Sequence, residues 1–209
     1  MPRFKDRADA ARQLVDALRP YAGKPVVVYA LPRGGVVLGV AVAKALKAPL
    51  DLLIPRKIGH PDNPEYAIAS VTETGAVVRQ EDEVRSADPK WFDEEVRRQR
   101  EEARRRRERY LSGRPAVPVK GKAAIVVDDG IATGLTMKAA LSELRTREPS
   151  SVVIAVPVAA RDTLRELGKE VDEVVVLHEP AMFLGSIGNY YEAFDQVSDE
   201  EVVAMMKQV

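Results

Sequence analysis

Short, almost continuously apolar runs that alternate with helix-length segments are the feature that most constrains the fold of this chain. Residues 25–30 (PVVVYA) are too uniformly apolar for a half-exposed strand, so they predict a strand buried within a parallel sheet. Further strands are predicted over 50–54, 122–127, 152–156 and 173–177, and helices over 6–19, 36–47, 135–147 and 161–167. Alternating strands and helices form βαβ units, which predicts an α/β fold with a mostly parallel central sheet flanked by helices.

Other segments predict additions to this sheet. The polar stretch 55–66 is expected to be a loop, and residues 67–71 and 76–78 a hairpin that forms a small β appendage. Asp88 and Pro89 are typical of a helix start, so residues 88–112 predict a charged helical insertion. Residues 178–197 are irregular and aromatic, and Ser198 with Glu201 predicts a capping box that opens a short final helix.

Composition limits the function classes. The chain has 209 residues and zero formal net charge, so we expect one compact domain over 1–209 with no general attraction to nucleic acid or acidic membranes. The absence of cysteine excludes disulfides, thiolate nucleophiles and cysteine-ligated metals. The first 15 residues lack the apolar centre of a signal peptide, and no apolar run reaches the roughly 18 residues of a membrane span. A cytoplasmic protein is therefore expected.

The segment IVVDDGIATGLT (residues 125–136) carries the clearest chemistry. Asp128 and Asp129 follow a buried strand, and in parallel sheets ligands lie beyond the carboxyl ends of the strands. Adjacent carboxylates are good acceptors for two ribose hydroxyls. Residues 132–136 enter a helix through Gly134, and their backbone N–H groups suit a phosphate. The segment predicts a site for a phosphorylated sugar, and phosphoribosyl pyrophosphate fits it best.

The stretch VVDDGIATG resembles the phosphoribosyl-pyrophosphate signature of the type I phosphoribosyltransferases. The resemblance implies that Asp128 and Asp129 bind the ribose hydroxyls. It implies that the 5-phosphate is held by Ala132, Thr133, Gly134, Leu135 and Thr136. Family members that act on 6-oxopurines often carry an Asp at the position of Ala132, so hypoxanthine and guanine are less favoured acceptors.

Residues 31–35 (LPRGG) resemble the pyrophosphate loop of the same family, which often contains a cis or strained peptide. Gly34 and Gly35 would open the backbone to a bulky anion, and Arg33 would add a positive charge. Taken alone, such Pro-Gly clusters are usually plain turns. The chain has neither a GxGxxG nor a GxxxxGK[ST] pattern, which argues against dinucleotide and P-loop sites.

A third resemblance lies after the second strand. Orotate-type members of the family carry a similar Arg-Lys pair, which implies that Arg56 and Lys57 contact the pyrophosphate. A mobile loop with Lys and His follows in those enzymes, so His60 is a candidate to stabilise the leaving group or move a proton. A solvent-exposed loop histidine explains His60 equally well. The Gly-Gly that often closes the orotate loop is absent here, which argues against orotate.

The charged helix and the irregular C-terminal segment have competing interpretations. In residues 93–110, acids precede arginines at i, i+4, and these pairs favour a solvated helix over an RNA-binding one. Its sparse apolar seam would pack on the body or on another subunit, and it runs over Phe92, Val96, Gln99, Ala103, Arg106 and Tyr110. The segment 178–197 corresponds to the family's hood, which selects the acceptor. Phe183, Tyr190 and Tyr191 could stack on a base, although core packing is slightly favoured.

The resemblance implies a type I phosphoribosyltransferase fold and a transfer of the phosphoribosyl group to a nucleobase or related amine, with release of pyrophosphate. Mg²⁺ is expected as cofactor, held mainly through the ligand's oxygens, and no residue is assigned as a metal ligand. The alternative is a regulatory protein that senses phosphoribosyl pyrophosphate or a nucleotide. A third possibility, phosphoribosyl pyrophosphate synthesis, is disfavoured because the chain shows no ATP site. The expected partners are phosphoribosyl pyrophosphate, an unidentified base and further copies of the chain in a homo-oligomer, of which a dimer is favoured; nucleic acid and membranes are not expected partners.

Overall fold

The computed structural model describes residues 3–209, and this part of the chain forms two compact units. The first unit comprises the chain up to Leu52 together with Pro115–Thr133 and Arg147–Val209. The second unit comprises Leu53–Arg114 and Gly134–Thr146.

Within residues 3–209, the first unit contains a five-stranded parallel sheet in the order β2-β1-β6-β7-β8. Its strands are β1 (Val26–Ala30), β2 (Leu50–Leu52), β6 (Ala123–Val127), β7 (Ser151–Val158) and β8 (Glu173–His178). Its helices are α1 (Arg7–Ala17), α2 (Gly34–Leu46), α6 (Arg161–Leu167) and α7 (Asp199–Met206). This architecture confirms the predicted α/β class with a mainly parallel central sheet.

Burial in the first unit follows the apolar pattern of the sequence. All five residues of β1 are buried, because the strand lies between β2 and β6 and helices cover the faces of the sheet. Helix α1 and its C-cap residue Leu18 bury the stripe formed by Ala10, Leu14 and Leu18, each fully shielded from solvent. The capping box before α7 is present, because the Ser198 and Glu201 side chains each accept the other residue's backbone N–H.

One boundary differs from prediction where it bears on function. Helix α2 was expected to begin at residue 36, but it begins at Gly34, so Gly34 and Gly35 form its first turn. The physical reason is that the chain leaves β1 through only three residues before it turns back over the sheet. The segment after β1 is therefore a tight strand-to-helix turn.

The second unit packs helices on an antiparallel sheet, in the order β3-β4-β5 within the described chain. The strands are β3 (Arg56–His60), β4 (Asn63–Val71) and β5 (Val77–Arg79), and the helices are α3 (Glu81–Ser86), α4 (Pro89–Leu111) and α5 (Leu135–Arg145). The hairpin of β4 and β5 confirms the predicted β appendage. The expected loop over 55–66 is wrong, because β3 and the start of β4 occupy it. In β3 only Ile58 is buried, so this strand has no apolar run to reveal it.

Helix α4 confirms the predicted start of the charged insertion, since the Asp88 side chain accepts the Trp91 backbone N–H and Pro89 is the first helical residue. Its predicted seam faces inward at Phe92, Ala103 and Tyr110, which are all buried. Phe92 lies in an apolar cluster with Ile58, Ile68, Ala69, Val71 and Ala87.

Arginines of α4 also contact the hairpin turn between β4 and β5. Arg100 donates from Nε to the Glu73 carbonyl at 3.2 Å and from a terminal nitrogen to the Thr74 carbonyl at 2.9 Å. Arg104 Nε donates to the same Glu73 carbonyl at 3.1 Å. These arginines therefore satisfy backbone acceptors of their own unit. None of the helices in the described chain is both long and apolar enough to span a membrane.

Candidate functional site

Two adjacent inner strands of the first unit, β1 and β6, bring the predicted acids and the turn at residues 32–35 (PRGG) together. Strands β1 and β6 are parallel neighbours in which Ala30 lies opposite Val127, and the Leu31 N–H donates to the Val127 carbonyl at 3.0 Å. Because both strands end at the same edge, Asp128 and the residues after Leu31 leave the sheet side by side. The sequence could suggest this pairing only through the topology rules for βαβ units.

Gly34 and Gly35 pack directly against the end of β6. A Cβ atom built on Gly34 would lie 1.8 Å from Oδ2 of Asp129. A Cβ atom on Gly35 would lie 2.9 Å from the Val127 carbonyl oxygen and 3.0 Å from Cα of Asp128. A side chain on either residue would clash with the end of β6, so both positions require glycine. Sequence reasoning predicted that they open the backbone to an anion, and here the space beside Gly34 holds a carboxylate.

The turn itself has the backbone feature that the family resemblance implied. The peptide bond between Pro32 and Arg33 is cis. The Arg33 guanidinium lies 3.5 Å from a carboxylate oxygen of Asp199, the first residue of α7, with a side chain that is 27% exposed. Arg33 is thus a partly exposed cation at the strand edge, as an anion site needs.

Asp129 is held by an arginine that sequence reasoning missed. Arg7 Nε donates to Asp129 Oδ2 at 2.8 Å, and the two side chains are only 12% and 15% exposed. Burial raises the pKa of the Asp129 carboxyl, and the Arg7 guanidinium opposes that rise by favouring the charged form. Beside it, Asp128 Oδ1 accepts the Asp129 backbone N–H at 2.8 Å.

The C-terminal segment holds Arg7 and the backbone of Asp129. The Arg7 guanidinium lies 3.8 Å from the centre of the Phe194 ring and donates to the Asp195 carbonyl at 2.7 Å. The Tyr191 hydroxyl donates to the Asp129 carbonyl at 2.7 Å. The sequence does contain a signal for Arg7. Residues 7, 11, 14 and 18 have helical 4-3-4 spacing, and Arg7 is the one charged residue among them. A charged side chain on a buried helix face needs a buried partner of opposite charge.

The predicted phosphate-binding residues form a turn that leads into α5. Its start is anchored, since Thr163 Oγ1 donates to the Ala132 carbonyl at 2.6 Å. Thr133 is exposed, and Gly134 adopts a left-handed conformation with φ 78° that favours glycine. Leu135 and Thr136 are the first residues of α5, where backbone N–H groups have no partner within the helix. Such a helix start suits an anion.

Arg56, Lys57 and His60 all lie on β3 of the second unit. Arg56 Nε donates to Gln99 Oε1 of α4 at 3.1 Å, whereas Lys57 is exposed. His60 is partly buried; its Nδ1 accepts the Asp62 N–H at 3.2 Å, and its Nε2 lies 3.5 Å from the Ser86 hydroxyl. His60 therefore sits in an ordered hairpin and not in the open loop expected for it. The roles of these three residues stay predictions.

The hood-like segment is an irregular loop packed around one aromatic ring. Tyr190 is buried, stacks on Phe183 with ring centres 5.7 Å apart, and accepts the Leu184 N–H at 2.9 Å. Tyr191 is also buried, so both tyrosines have the packing role that was slightly favoured for them. Met182 and Leu184 are the exposed apolar side chains of this loop.

Comparison with known proteins decides the family. The family model of the phosphoribosyl transferase domain matches residues 1–183. The chain belongs to the phosphoribosyl transferase family. This match spans the cis-peptide turn, the paired acids and the α5 turn. The fold is accordingly that of the type I phosphoribosyltransferases, as predicted.

Relatives of this phosphoribosyl transferase family member include two Mycobacterium tuberculosis proteins, from strains H37Rv and CDC 1551, which carry a provisional name as phosphoribosyl transferases. Each is 45% identical over 208 residues, which is 99% of this chain and 47% of the relative. The chain thus spans about half the length of these curated relatives. Among solved structures, TT1426 from Thermus thermophilus is 42% identical with a TM-score of 0.81, covering 99% of this chain and 98% of that one. The AQ2163 protein from Aquifex aeolicus, 14% identical with a TM-score of 0.53 over 89% and 83% of the two chains, shares the fold.

Proposed function

We propose that the protein binds Mg-phosphoribosyl pyrophosphate and transfers the phosphoribosyl group to a nitrogen nucleophile, a nucleobase or related amine, with release of pyrophosphate. The observation that carries the proposal is the packing of Asp128 and Asp129 against Gly34 and Gly35 at the ends of two adjacent parallel strands. This contact brings two carboxylates, the candidate acceptors for hydroxyls, beside the candidate anion-binding turn within a single unit.

In this proposal each group binds one part of the ligand. The carboxylates of Asp128 and Asp129 accept hydrogen bonds from the ribose hydroxyls, and the turn over 132–136 binds the 5-phosphate with backbone donors. Arg33 and the amides of Gly34 and Gly35 bind the pyrophosphate. For Arg56 and Lys57 of the other unit, contact with the pyrophosphate is what the family resemblance implies. His60 is the candidate proton carrier or leaving-group stabiliser.

The reaction breaks the bond between ribose C1 and the pyrophosphate oxygen and forms a bond between C1 and the acceptor nitrogen, which loses a proton. Positive charge develops on the ribose and negative charge on the leaving pyrophosphate. Donors fixed around the pyrophosphate stabilise that charge most strongly in the transition state, which accelerates the step. Keeping water away from C1 would limit hydrolysis.

Mg²⁺ enters the proposal through the ligand. Magnesium prefers oxygen ligands and usually retains several waters, so the pyrophosphate and ribose oxygens supply its main contacts. Among residues 3–209, no group of three or more His, Asp or Glu side chains is placed to hold a metal ion. When bound, the ion would neutralise charge on the leaving pyrophosphate.

Calorimetry with Mg-phosphoribosyl pyrophosphate tests the binding step, with Asp128→Asn and Asp129→Asn as site variants. We expect each variant to bind at least tenfold more weakly, because an amide replaces a charged acceptor. The isosteric Asp162→Asn is a matched control, because Asp162 is an exposed carboxylate at the start of α6. Equal binding by wild type and both site variants would reject the site.

A pyrophosphate-release screen over purine and pyrimidine bases then tests the chemistry. Release that depends on one base identifies the acceptor, and adenine and uracil precede hypoxanthine and guanine in the screen because Ala132 stands where 6-oxopurine enzymes often have Asp. Tight binding without release for any acceptor would instead support the sensor alternative.

A further inference from the structure

We propose that Arg7 is a positioning residue that fixes the Asp129 carboxylate to receive one ribose hydroxyl. The inference rests on the proposed function, since it assigns Asp129 to the ribose. It adds a residue of α1, far from the signature segment in sequence, to the machinery that recognises the sugar. Its basis is the geometry of Arg7, Asp129, Gly34 and Phe194.

Protein contacts fix the Arg7 side chain. Three contacts from two segments hold it: Asp129 accepts from Nε, the Asp195 carbonyl accepts from a terminal nitrogen, and the centre of the neighbouring Phe194 ring lies 3.8 Å from the guanidinium carbon. A cation over an aromatic face contributes further attraction. Because the guanidinium is planar and held on three sides, it defines where the carboxylate oxygen must lie.

The same carboxylate oxygen is enclosed from two directions. Oδ2 accepts from Arg7 Nε at 2.8 Å and lies 1.8 Å from the position that a Cβ on Gly34 would occupy. The other oxygen, Oδ1, is not used by either contact. We therefore assign Oδ1 to the ribose hydroxyl and Oδ2 to the protein. A carboxylate anchored through one oxygen has lost its rotational freedom, so its second oxygen is already in place for the ligand.

Charge supports this assignment. Asp129 has Asp128 as its immediate neighbour, and Tyr191 presents a hydroxyl to its backbone carbonyl. Among the contacts of the Asp129 carboxylate, Arg7 supplies the positive charge. A poorly solvated carboxylate next to a second acid needs such a partner to stay in place and charged. Without Arg7, the Asp129 carboxylate should rotate toward water and leave the hydroxyl position.

The test compares ribose 5-phosphate with 2-deoxyribose and 3-deoxyribose 5-phosphate by calorimetry. Wild type should bind ribose 5-phosphate about tenfold or more tightly than at least one deoxy analogue, because a hydrogen bond to a charged group is stronger than one between neutral groups. Arg7→Met keeps the length and apolar contact of the side chain but removes the guanidinium. It should reduce that discrimination to about threefold or less, and Arg7→Lys should restore part of it.

Arg12→Met is the matched control, because Arg12 lies on the same helix with a side chain that is 69% exposed. It should leave the discrimination unchanged. Full discrimination in Arg7→Met, or tighter ribose 5-phosphate binding by that variant, would overturn the inference, the second result by showing that Arg7 obstructs the site. If wild type itself binds ribose 5-phosphate no better than either analogue, the ribose assignment of the proposed function fails, which is a different result. Should Arg7→Met unfold, Arg7→Lys alone still decides: a ratio equal to wild type rejects the role of the guanidinium.

Discussion

The carboxylate of Asp129 occupies the space that a side chain on Gly34 would fill, with only 1.8 Å between Oδ2 and the Cβ position. A Cβ there would also lie 2.9 Å from Arg7 Nε. The glycine after Arg33 is thus fixed by a contact with a residue that is 95 positions later in the chain. The same contact supports the fold and the candidate binding site, so a substitution of Gly34 should change both stability and ligand binding.

We expect Gly34→Ala to destabilise the protein by about 2 kcal/mol, as overpacking of a close contact does. Relief of the clash requires Asp129 to move, which lengthens its bond to Arg7. Binding of Mg-phosphoribosyl pyrophosphate should weaken in the same variant. Urea unfolding and calorimetry measure the two effects. Gly168→Ala is the control, because Gly168 has an ordinary helical φ of −61° and the nearest atom to its added Cβ, the Leu164 carbonyl oxygen, would lie 3.1 Å away. A Gly34→Ala protein with wild-type stability and binding would contradict the structure of the turn.

The contacts of Arg100 lead to a prediction about the charged helix. Arg100→Met removes the donors to the Glu73 and Thr74 carbonyls, so the turn between β4 and β5 should open more often. We expect a loss of about 2 kcal/mol in unfolding free energy, because two hydrogen bonds are lost and each contributes about 1 kcal/mol. Hydrogen exchange of residues 72–76 should accelerate. Arg98→Met, on the exposed side of α4, is the control. Equal exchange in both variants would show that these contacts do not order the turn.

Glu102 provides a test of pH dependence. Hydrogen bonds from Arg105 and Arg106 lower the pKa of Glu102 to about 2, below its value in the unfolded chain. A lowered pKa means that the stabilisation is present above the unfolded pKa of about 4.3 and is lost as pH falls toward 2. It should amount to about 1 kcal/mol, because the pairs are partly solvated. The stability difference between wild type and Glu102→Gln should therefore shrink from pH 6 to pH 3.

Thermal unfolding of both proteins across that pH range measures the effect. Glu101→Gln, which changes the same charge on the exposed side of α4, is the control. A difference between wild type and Glu102→Gln that stays constant with pH would show that the ion pairs do not contribute through the charged carboxylate.

Lys57 tests whether β3 takes part in the reaction. Its side chain is exposed on a strand, so Lys57→Ala should leave the unfolding free energy within about 0.5 kcal/mol of wild type. If Lys57 stabilises the leaving pyrophosphate, kcat for pyrophosphate release should fall about a hundredfold, since one donor to developing charge contributes about 3 kcal/mol. Lys169→Ala, an exposed change in the other unit, is the control. Unchanged turnover in Lys57→Ala would remove Lys57 from the mechanism.

Some of the site could be predicted from sequence because its signals are local. A buried parallel strand is an apolar run, so the end of β6 and the position of Asp128 and Asp129 followed from residues 122–129 alone. Helix caps are equally local, since Asp88 and Ser198 each bond a backbone group three residues later. The strand β3 could not be predicted, because with only Ile58 buried it carries neither an apolar run nor a clear alternation.

The sequence by itself determined the α/β class, the strand ends and the residue types available for a sugar phosphate, because each depends on neighbours within a few positions. Only the tertiary structure decided how those residues are held. Pairing of β1 with β6 placed Gly34 against Asp129, and the return of the C-terminal segment placed Phe194 and Asp195 around Arg7. Contacts between distant segments follow from chain packing and not from local periodicity, so Arg7 appeared in the sequence only as one charge in an apolar stripe.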